Sequence, residues 1–284
     1  MQILRNSQNL RTKITTALLY IFAIAVGLIF MLPVFWMLLS SFKFNEDVLT
    51  IPIHLFPPRW NFSSYASALQ YSTYNFPRYI FNSLLVTVSA VLLSLLFSTT
   101  CGYGFAKYRF FGDNLFFTII LSTMMIPFQA IVIPLFVLIR RLGWQNSYIG
   151  LIVPESLLAF GVFMMRQFFY SVPKEIIESA RIDGANEIRI FLRLAVPLSS
   201  TAILALTLFH FRYSWNLLLW PLICISSSKL RTLPLGISLF TGVYTTPYPE
   251  QLAVSVIACL PIVVLYIFLS KYFVQGIGTT GIKQ

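Results

Sequence analysis

Six stretches of the chain are apolar over long runs, at about 14–40, 80–106, 115–140, 148–170, 198–224 and 250–273. Each is long enough for a helix to cross the hydrocarbon core of a bilayer, which takes roughly 20 predominantly apolar residues. They are apolar around the whole helix instead of along one stripe, so every side must meet lipid or another helix. A lipid-spanning barrel would show alternating segments of about 10 residues, a pattern absent here. The pattern therefore predicts an all-α integral membrane protein with six transmembrane helices.

Within these stretches Pro33, Pro127, Pro134, Pro221 and Pro261 each remove a backbone donor. Such prolines either kink a span or are simply tolerated in a bundle. Ser94, Ser98, Gly102 and Ala106 recur at four-residue spacing on the second stretch and permit close approach of another helix.

Composition supports lipid as the solvent. Of 284 residues 57% are hydrophobic and 10% charged, against about 25% charged in an ordinary soluble domain. The net charge of +11 suits either nucleic acid or basic loops held at an anionic membrane face. Sparse basic residues in short loops favour the second, and no nucleic-acid partner is expected. With the N-terminus cytoplasmic, 12 of the 20 Lys and Arg residues fall on inner segments, a modest orientation signal. The run from Ile14 to Leu39 is too long for a signal-peptide core and reads as an uncleaved span.

The expected organisation is a cytoplasmic N-terminus (1–13), a first transmembrane helix (14–40) and an external loop (41–79). A five-helix permease core (80–274) and a cytoplasmic tail (275–284) follow. The external loop mixes Pro52, Pro57 and Pro58 with Trp60, Tyr65 and Tyr71, as a structured cap near the interface would.

Charge gathers in one place, between Ser171 and Pro197. Pro173 suits a helix start, and Lys174, Glu178 and Arg181 follow at i,i+4 and i,i+3 beside the apolar Ile176, Ile177 and Ala180. Asp183-Gly184 breaks this helix, and a second runs from Ala185 to about Leu194. The pair is either an amphipathic hairpin lying on anionic lipid or a docking surface for a protein. Glu175, Glu178, Asp183 and Glu187 favour the protein, since like-signed headgroups would repel them.

At this segment the sequence resembles the permease subunits of bacterial ATP-binding-cassette importers, in the carbohydrate-uptake group related to the maltose permeases. The family signature is Glu-Ala-Ala, three residues, Gly, nine residues, Ile-x-Leu-Pro. Here Glu178-Ser179-Ala180, Gly184 and Leu194-Ala195-Val196-Pro197 stand at matching spacing. Phe81-Asn82-Ser83, Gly102-Tyr103-Gly104-Phe105-Ala106, Ile126-Pro127, Ser214-Trp215-Asn216, Trp220-Pro221-Leu222 and the ending Gly278–Lys283 resemble the family as well.

The resemblance implies a type I importer permease fold, with the loop at 171–197 acting as a cytoplasmic coupling helix. That helix would sit in a cleft of a cytoplasmic ATPase dimer. A second homologous permease subunit and an extracellular or periplasmic solute-binding protein complete the implied assembly in the bacterial inner membrane. The coupling residues it points to are Glu175, Glu178, Ser179, Ala180, Asp183, Gly184, Ala185 and Pro197.

The remaining chemistry agrees. No Gly is followed by Lys, so this chain carries no phosphate-cradling Walker loop. ATP and Mg belong to the partner ATPase, and no cofactor is expected here. His54 and His210 have no metal-ligand spacing, and Cys101, Cys224 and Cys259 are isolated in apolar segments. No metal site, catalytic residue or enzymatic activity is proposed. An ion-coupled secondary transporter of small polar solutes is the alternative. It would place ionisable groups inside the spans, whose central thirds contain no Asp, Glu or Lys. Tyr213, Trp215 and Asn216, with His210 and Arg212, form a cluster that is either a sugar path or an interfacial aromatic belt.

Overall fold

Prolines and glycines decide where these helices stop and bend. The computed structural model describes residues 2–70, 74–239 and 246–280, with side chains from 13 to 70, 74 to 239 and 246 to 270. Tyr71 of the expected cap and residues 281–284 of the expected tail lie outside the described residues.

The helices are α1 (Gln2–Ser40), α2 (Asn45–Val48), α3 (Ser63–Leu69), α4 (Phe76–Lys107), α5 (Asp113–Thr123), α6 (Phe128–Arg141), α7 (Tyr148–Ser156) and α8 (Ala159–Ser171). Then come α9 (Lys174–Ile182), α10 (Glu187–Ile190), a π-helical turn (Phe191–Ala195), α11 (Val196–Leu198), α12 (Ser200–Trp215), α13 (Leu219–Cys224), α14 (Leu233–Ser238) and α15 (Tyr248–Thr280).

Among the described residues three helices are long and apolar enough to cross a membrane by themselves, and six spans result if each bent pair crosses once. The third stretch, expected as one helix, is α5 and α6 bent by 101° at the break before Pro127. The fourth is α7 and α8, bent by 41°. The fifth is counted from Glu187–Leu198 with Ser200–Trp215, bent by 75°; it ends sooner than expected, at Trp215, and α13 is a separate element. Both terminal helices are longer than expected, with α1 starting at Gln2 and α15 continuing to Thr280.

The fourth span breaks at Leu157 and Leu158, whose backbones leave the helical region, while a proline inside α7 frees a carbonyl. Pro154 has no N–H for the carbonyl of Gly150, four residues earlier. The indole Nε1–H of Trp220 donates to that carbonyl instead, at 2.9 Å. The broken ladder is thereby repaired by a side chain, as a backbone group in a dry interior requires.

The chain forms two units. The first comprises residues 1–69 and 241–256. Its α1 carries a nearly continuous apolar exposed surface, with Phe22 68% and Phe30 77% exposed. The segment after α1 is held together by its aromatic residues. Phe42 packs its ring against Trp60, Phe62 and Tyr65 at 5.2–5.9 Å. Lys43 is fully buried, and its Nζ donates to the carbonyl of His54 at 2.6 Å.

The second unit comprises residues 70–240 and 257–284. Its spine is α4 packed on α8, and the small-residue spacing is the reason. Ser94, Ser98, Gly102 and Ala106 are all buried. A Cβ at Gly102 would lie 2.7 Å from Met165 Cβ, and one at Gly161 would collide with Ser98 Oγ. Backbones this close gain dispersion contacts that larger residues would prevent.

One end of this unit is clamped by buried polar side chains. Asn82 Nδ2 donates to the carbonyls of Lys229 and Arg231 at 3.0 and 2.8 Å, while its Oδ1 accepts the Tyr148 hydroxyl at 2.7 Å. Ser83 Oγ accepts the Leu233 N–H at 2.7 Å. Asn146, at φ +56°, accepts the N–H groups of Ser226 and Ser227. Phe81-Asn82-Ser83 therefore has a local structural role here, holding the segment that leads into α14.

Candidate functional site

The polar segment between α8 and α12 folds as the charge pattern suggests, with one difference in its second half. α9 starts after Pro173 and ends at Asp183, and Gly184 follows at φ +82°. An L side chain rarely adopts that backbone geometry, so glycine is the residue the turn needs. The expected helix from Ala185 starts instead at Glu187, because the Asn186 side chain caps it by accepting the Arg189 N–H at 2.9 Å. It is a single α-helical turn that widens into the π-helical turn before Pro197.

Two isoleucines join this segment to the bundle. Ile177 on α9 is 4% exposed, and Ile190 on α10 is fully buried. Both belong to one core with Tyr103 and Ala106 of α4, Met165 and Phe169 of α8, and Ala202 and Leu206 of α12. Tyr103 meets Phe169 edge-on at 5.3 Å and Phe191 at 5.1 Å. Ala180 and Ala185 pack against the same cluster. Burying two such side chains gives about 3–6 kcal/mol of attachment, so displacement of the segment pulls on α4 and α8.

The outer face is exposed. Glu178 lines a hollow of about 160 Å³ together with Lys107, Lys174, Ile177 and Arg181. Glu175, Glu178 and Asp183 form no ion pair among the described residues. Ser179 Oγ donates to the Ile176 carbonyl, Asp183 caps α9, and Pro197 lies in α11.

Glu187 departs from the grouping of acidic residues as docking charges. The Arg181 guanidinium donates to its Oε1 at 2.6 Å, and the Tyr108 hydroxyl donates to Oε2. Arg181 foremost, and then Tyr108, hold the carboxyl below its ordinary value. Burial, followed by the bond to Glu187, pushes the Tyr108 phenol up to about 12. Glu187 is thus committed to closing the turn. Two apolar side chains that the charge pattern obscured, Ile182 (86% exposed) and Ile188 (70% exposed), flank Gly184 instead.

The three candidate path residues on and after α12 occupy different settings. Tyr213 is exposed on the wall of a cavity of about 470 Å³, shared with Phe128, Trp220 and Glu155. Trp215 is 2% exposed, stacks on Phe211 and donates its indole N–H to the Ala258 carbonyl at 2.9 Å. Asn216 caps α12, its Nδ2 donating to the Arg212 carbonyl at 2.8 Å. His210 is buried without a hydrogen-bond partner. Residue 155 is the one that reasoning from the central thirds of the spans overlooked. Glu155 lies in α7, just outside the central third of the fourth stretch and 7% exposed, so this candidate span carries a buried acid. The available signal was the Pro154-Glu155 pair in an otherwise apolar run.

Among the described residues no three His, Cys, Asp or Glu side chains converge as metal ligands, and all three cysteines are free.

Comparison with known proteins places this architecture. Residues 94–278 match the family described as binding-protein-dependent transport system inner membrane component. The chain is 34% identical over 267 residues to the arabinooligosaccharides transport system permease protein AraQ of Bacillus subtilis, covering 93% of this chain and 95% of that one. It is 30% identical to the trehalose/maltose transport system permease protein MalG of Thermococcus litoralis, covering 94% and 96%. A crystal structure of a bacterial ABC transporter involved in import of the acidic polysaccharide alginate superposes with a TM-score of 0.78 at 26% identity, covering 94% of this chain and 98% of that one. With this coverage, and with the helix–glycine–helix segment at the end of its α4–α8 core, the chain belongs to the binding-protein-dependent transport system inner membrane component family, as a membrane-spanning permease subunit of an ABC importer.

Proposed function

We propose that this subunit forms half of the pathway by which a sugar or short oligosaccharide enters the cell. It pairs with a second, homologous permease and takes its solute from an extracellular or periplasmic binding protein. A dimeric cytoplasmic ATPase, which holds the ATP and Mg, drives it. Both termini and the 171–197 segment face the cytoplasm. The sugar assignment is supported by relatives named for arabinooligosaccharides, trehalose/maltose and lactose.

One observation carries the mechanism: an exposed turn is anchored in the core by Ile177 and Ile190. The ATPase grips the face around Glu178, with the exposed Ile182 and Ile188 filling apolar parts of its cleft. Closure of the ATPase dimer on ATP displaces α9. The two buried isoleucines pass that displacement to α4 and α8, and the bundle changes between outward- and inward-open states. Gly184 lets the two short helices meet at the required angle.

Reconstituting the four-component transporter in proteoliposomes tests this reading. ATP-dependent uptake of labelled arabinotriose, maltose or lactose is expected, and Gly184→Leu should abolish uptake and weaken retention of the ATPase. Wild-type uptake and ATPase retention in that variant would sink the lever.

The ion-coupled reading has one observation in its favour, the acid inside the fourth span. Uptake lost on collapse of the proton gradient while ATP is maintained would support it. Insensitivity to the gradient is expected.

A further inference from the structure

Glu155 is the one acidic residue on the described residues of α7 and α8, and its position is costly. It sits at the bend of the fourth span, 7% exposed, and no Lys, Arg or His forms an ion pair with it among the described residues. Burying an unpaired carboxyl costs several kcal/mol, and acids inside membrane spans mark solute or ion pathways by default. Helix packing does not need it, since the ladder opened by Pro154 is repaired by Trp220.

Two spaces meet at this side chain. On one side is a tight pocket of about 10 Å³, where Glu155 meets Ser83, Thr87, Ser214 and Thr232 among apolar neighbours. That is room for one water at most. The buried Thr232 hydroxyl closes no hydrogen bond there, and the Ser214 hydroxyl has the Glu155 carboxyl as its neighbour. On the other side is the open cavity of about 470 Å³, with Thr123, Phe128, Tyr213 and Trp220 in its wall. Its volume falls within the roughly 300–1,000 Å³ that small-molecule sites occupy. Its walls are apolar and aromatic, with few polar groups. Such walls suit the C–H faces of a sugar ring, while one acid and one phenol suit its hydroxyls.

We infer that Glu155, with Tyr213 on the same wall, is the polar anchor for the hydroxyl groups of a neutral sugar passing through this subunit. This rests on the sugar reading above and names the residues that would carry it. The carboxyl accepts hydrogen bonds from hydroxyls, and the phenol of Tyr213 both donates and accepts. A site built around such bonds discriminates strongly against solutes that lack the hydroxyls. Of the hydroxyls behind Glu155, that of Ser214 is within reach of the carboxyl, so turning toward the solute exchanges this contact for sugar hydroxyls.

The test uses the complete transporter in proteoliposomes, with labelled arabinotriose and maltose as probes and ATP hydrolysis without sugar as a parallel readout. Glu155→Leu is expected to lower uptake about 10- to 100-fold, the cost of leaving the sugar hydroxyls without their buried partner. Sugar-free ATP hydrolysis and subunit assembly should stay within about twofold of wild type. Glu155→Gln, which keeps an acceptor oxygen and the shape, should recover most of the uptake. Wild-type uptake in Glu155→Leu overturns the inference. So does parallel loss of uptake, ATP hydrolysis and assembly in both variants, which would make Glu155 a folding residue. A wild-type transporter that moves no neutral sugar overturns the sugar reading itself and this inference with it, so the two failures are distinguishable.

Discussion

Two ends of the second unit are held in opposite ways. At one end Asn82, Ser83 and Asn146 make five side-chain hydrogen bonds to loop backbone between residues 226 and 233. At the other end the segment from α9 to α10 is held by two buried isoleucines and a surface cluster of Glu187, Arg181 and Tyr108. Hydrogen bonds to backbone are directional and fix a geometry. Apolar burial resists separation but tolerates sliding and rotation. A clamp at one end and a plug at the other is what a helix bundle needs if motion delivered to the plugged end is to tilt it.

That contrast can be broken by experiment. The largest stability effect is expected from Ile190→Ala, which empties a fully buried site at the plug. It should cost about 2–4 kcal/mol, read as a lower thermal unfolding midpoint in detergent. Surviving protein should hydrolyse ATP without moving solute, because the link between segment and bundle is loosened. Asn82→Leu should cost about 1–3 kcal/mol, by stranding two carbonyls and the Tyr148 hydroxyl. Transport per folded molecule should be preserved better than in Ile190→Ala, and the reverse order would overturn the comparison.

Glu187→Gln comes next, at under about 1 kcal/mol, because the ion pair with Arg181 is exposed and screened. Coupling should fall more than stability, since the turn around Gly184 loosens. The smallest effect is that of pH on the same pair. The folded carboxyl lies below the ordinary glutamate value of 4.5. Its contribution is therefore present above that value and is lost as the pH falls through the lowered one. Unfolding midpoints should be flat between pH 6 and 8 in this respect, and the Glu187→Gln variant should lose part of the wild type's decline on acidification.

The residues differ in how much of this was visible beforehand. The membrane class and the number of apolar stretches were legible because lipid demands long unbroken apolarity. The α9–Gly184 turn was legible because charge is scarce everywhere else. The bends were only partly so. Pro127 marks the break between α5 and α6, but the same residue type leaves α15 continuous at Pro261. Whether a proline breaks a span depends on what neighbouring helices offer the freed carbonyl, as Trp220 does for Gly150.

Pairings across long separations were out of reach: Asn82 with residues 229 and 231, or Tyr108 with Glu187. Glu187 looked equivalent to Glu178 in the chain, and Trp215 equivalent to Tyr213. In space one of each pair is engaged or buried while the other is exposed.

The amino-acid order alone determined the solvent, the all-helical class, the position of the α9–Gly184 turn and the family signature, because each is written in local composition and spacing. Only the tertiary structure decided which charges are free, which aromatic side chain faces the cavity, and that Glu155 stands at its wall. Those are properties of neighbours brought together from distant parts of the chain, and burial, unlike periodicity, has no local code.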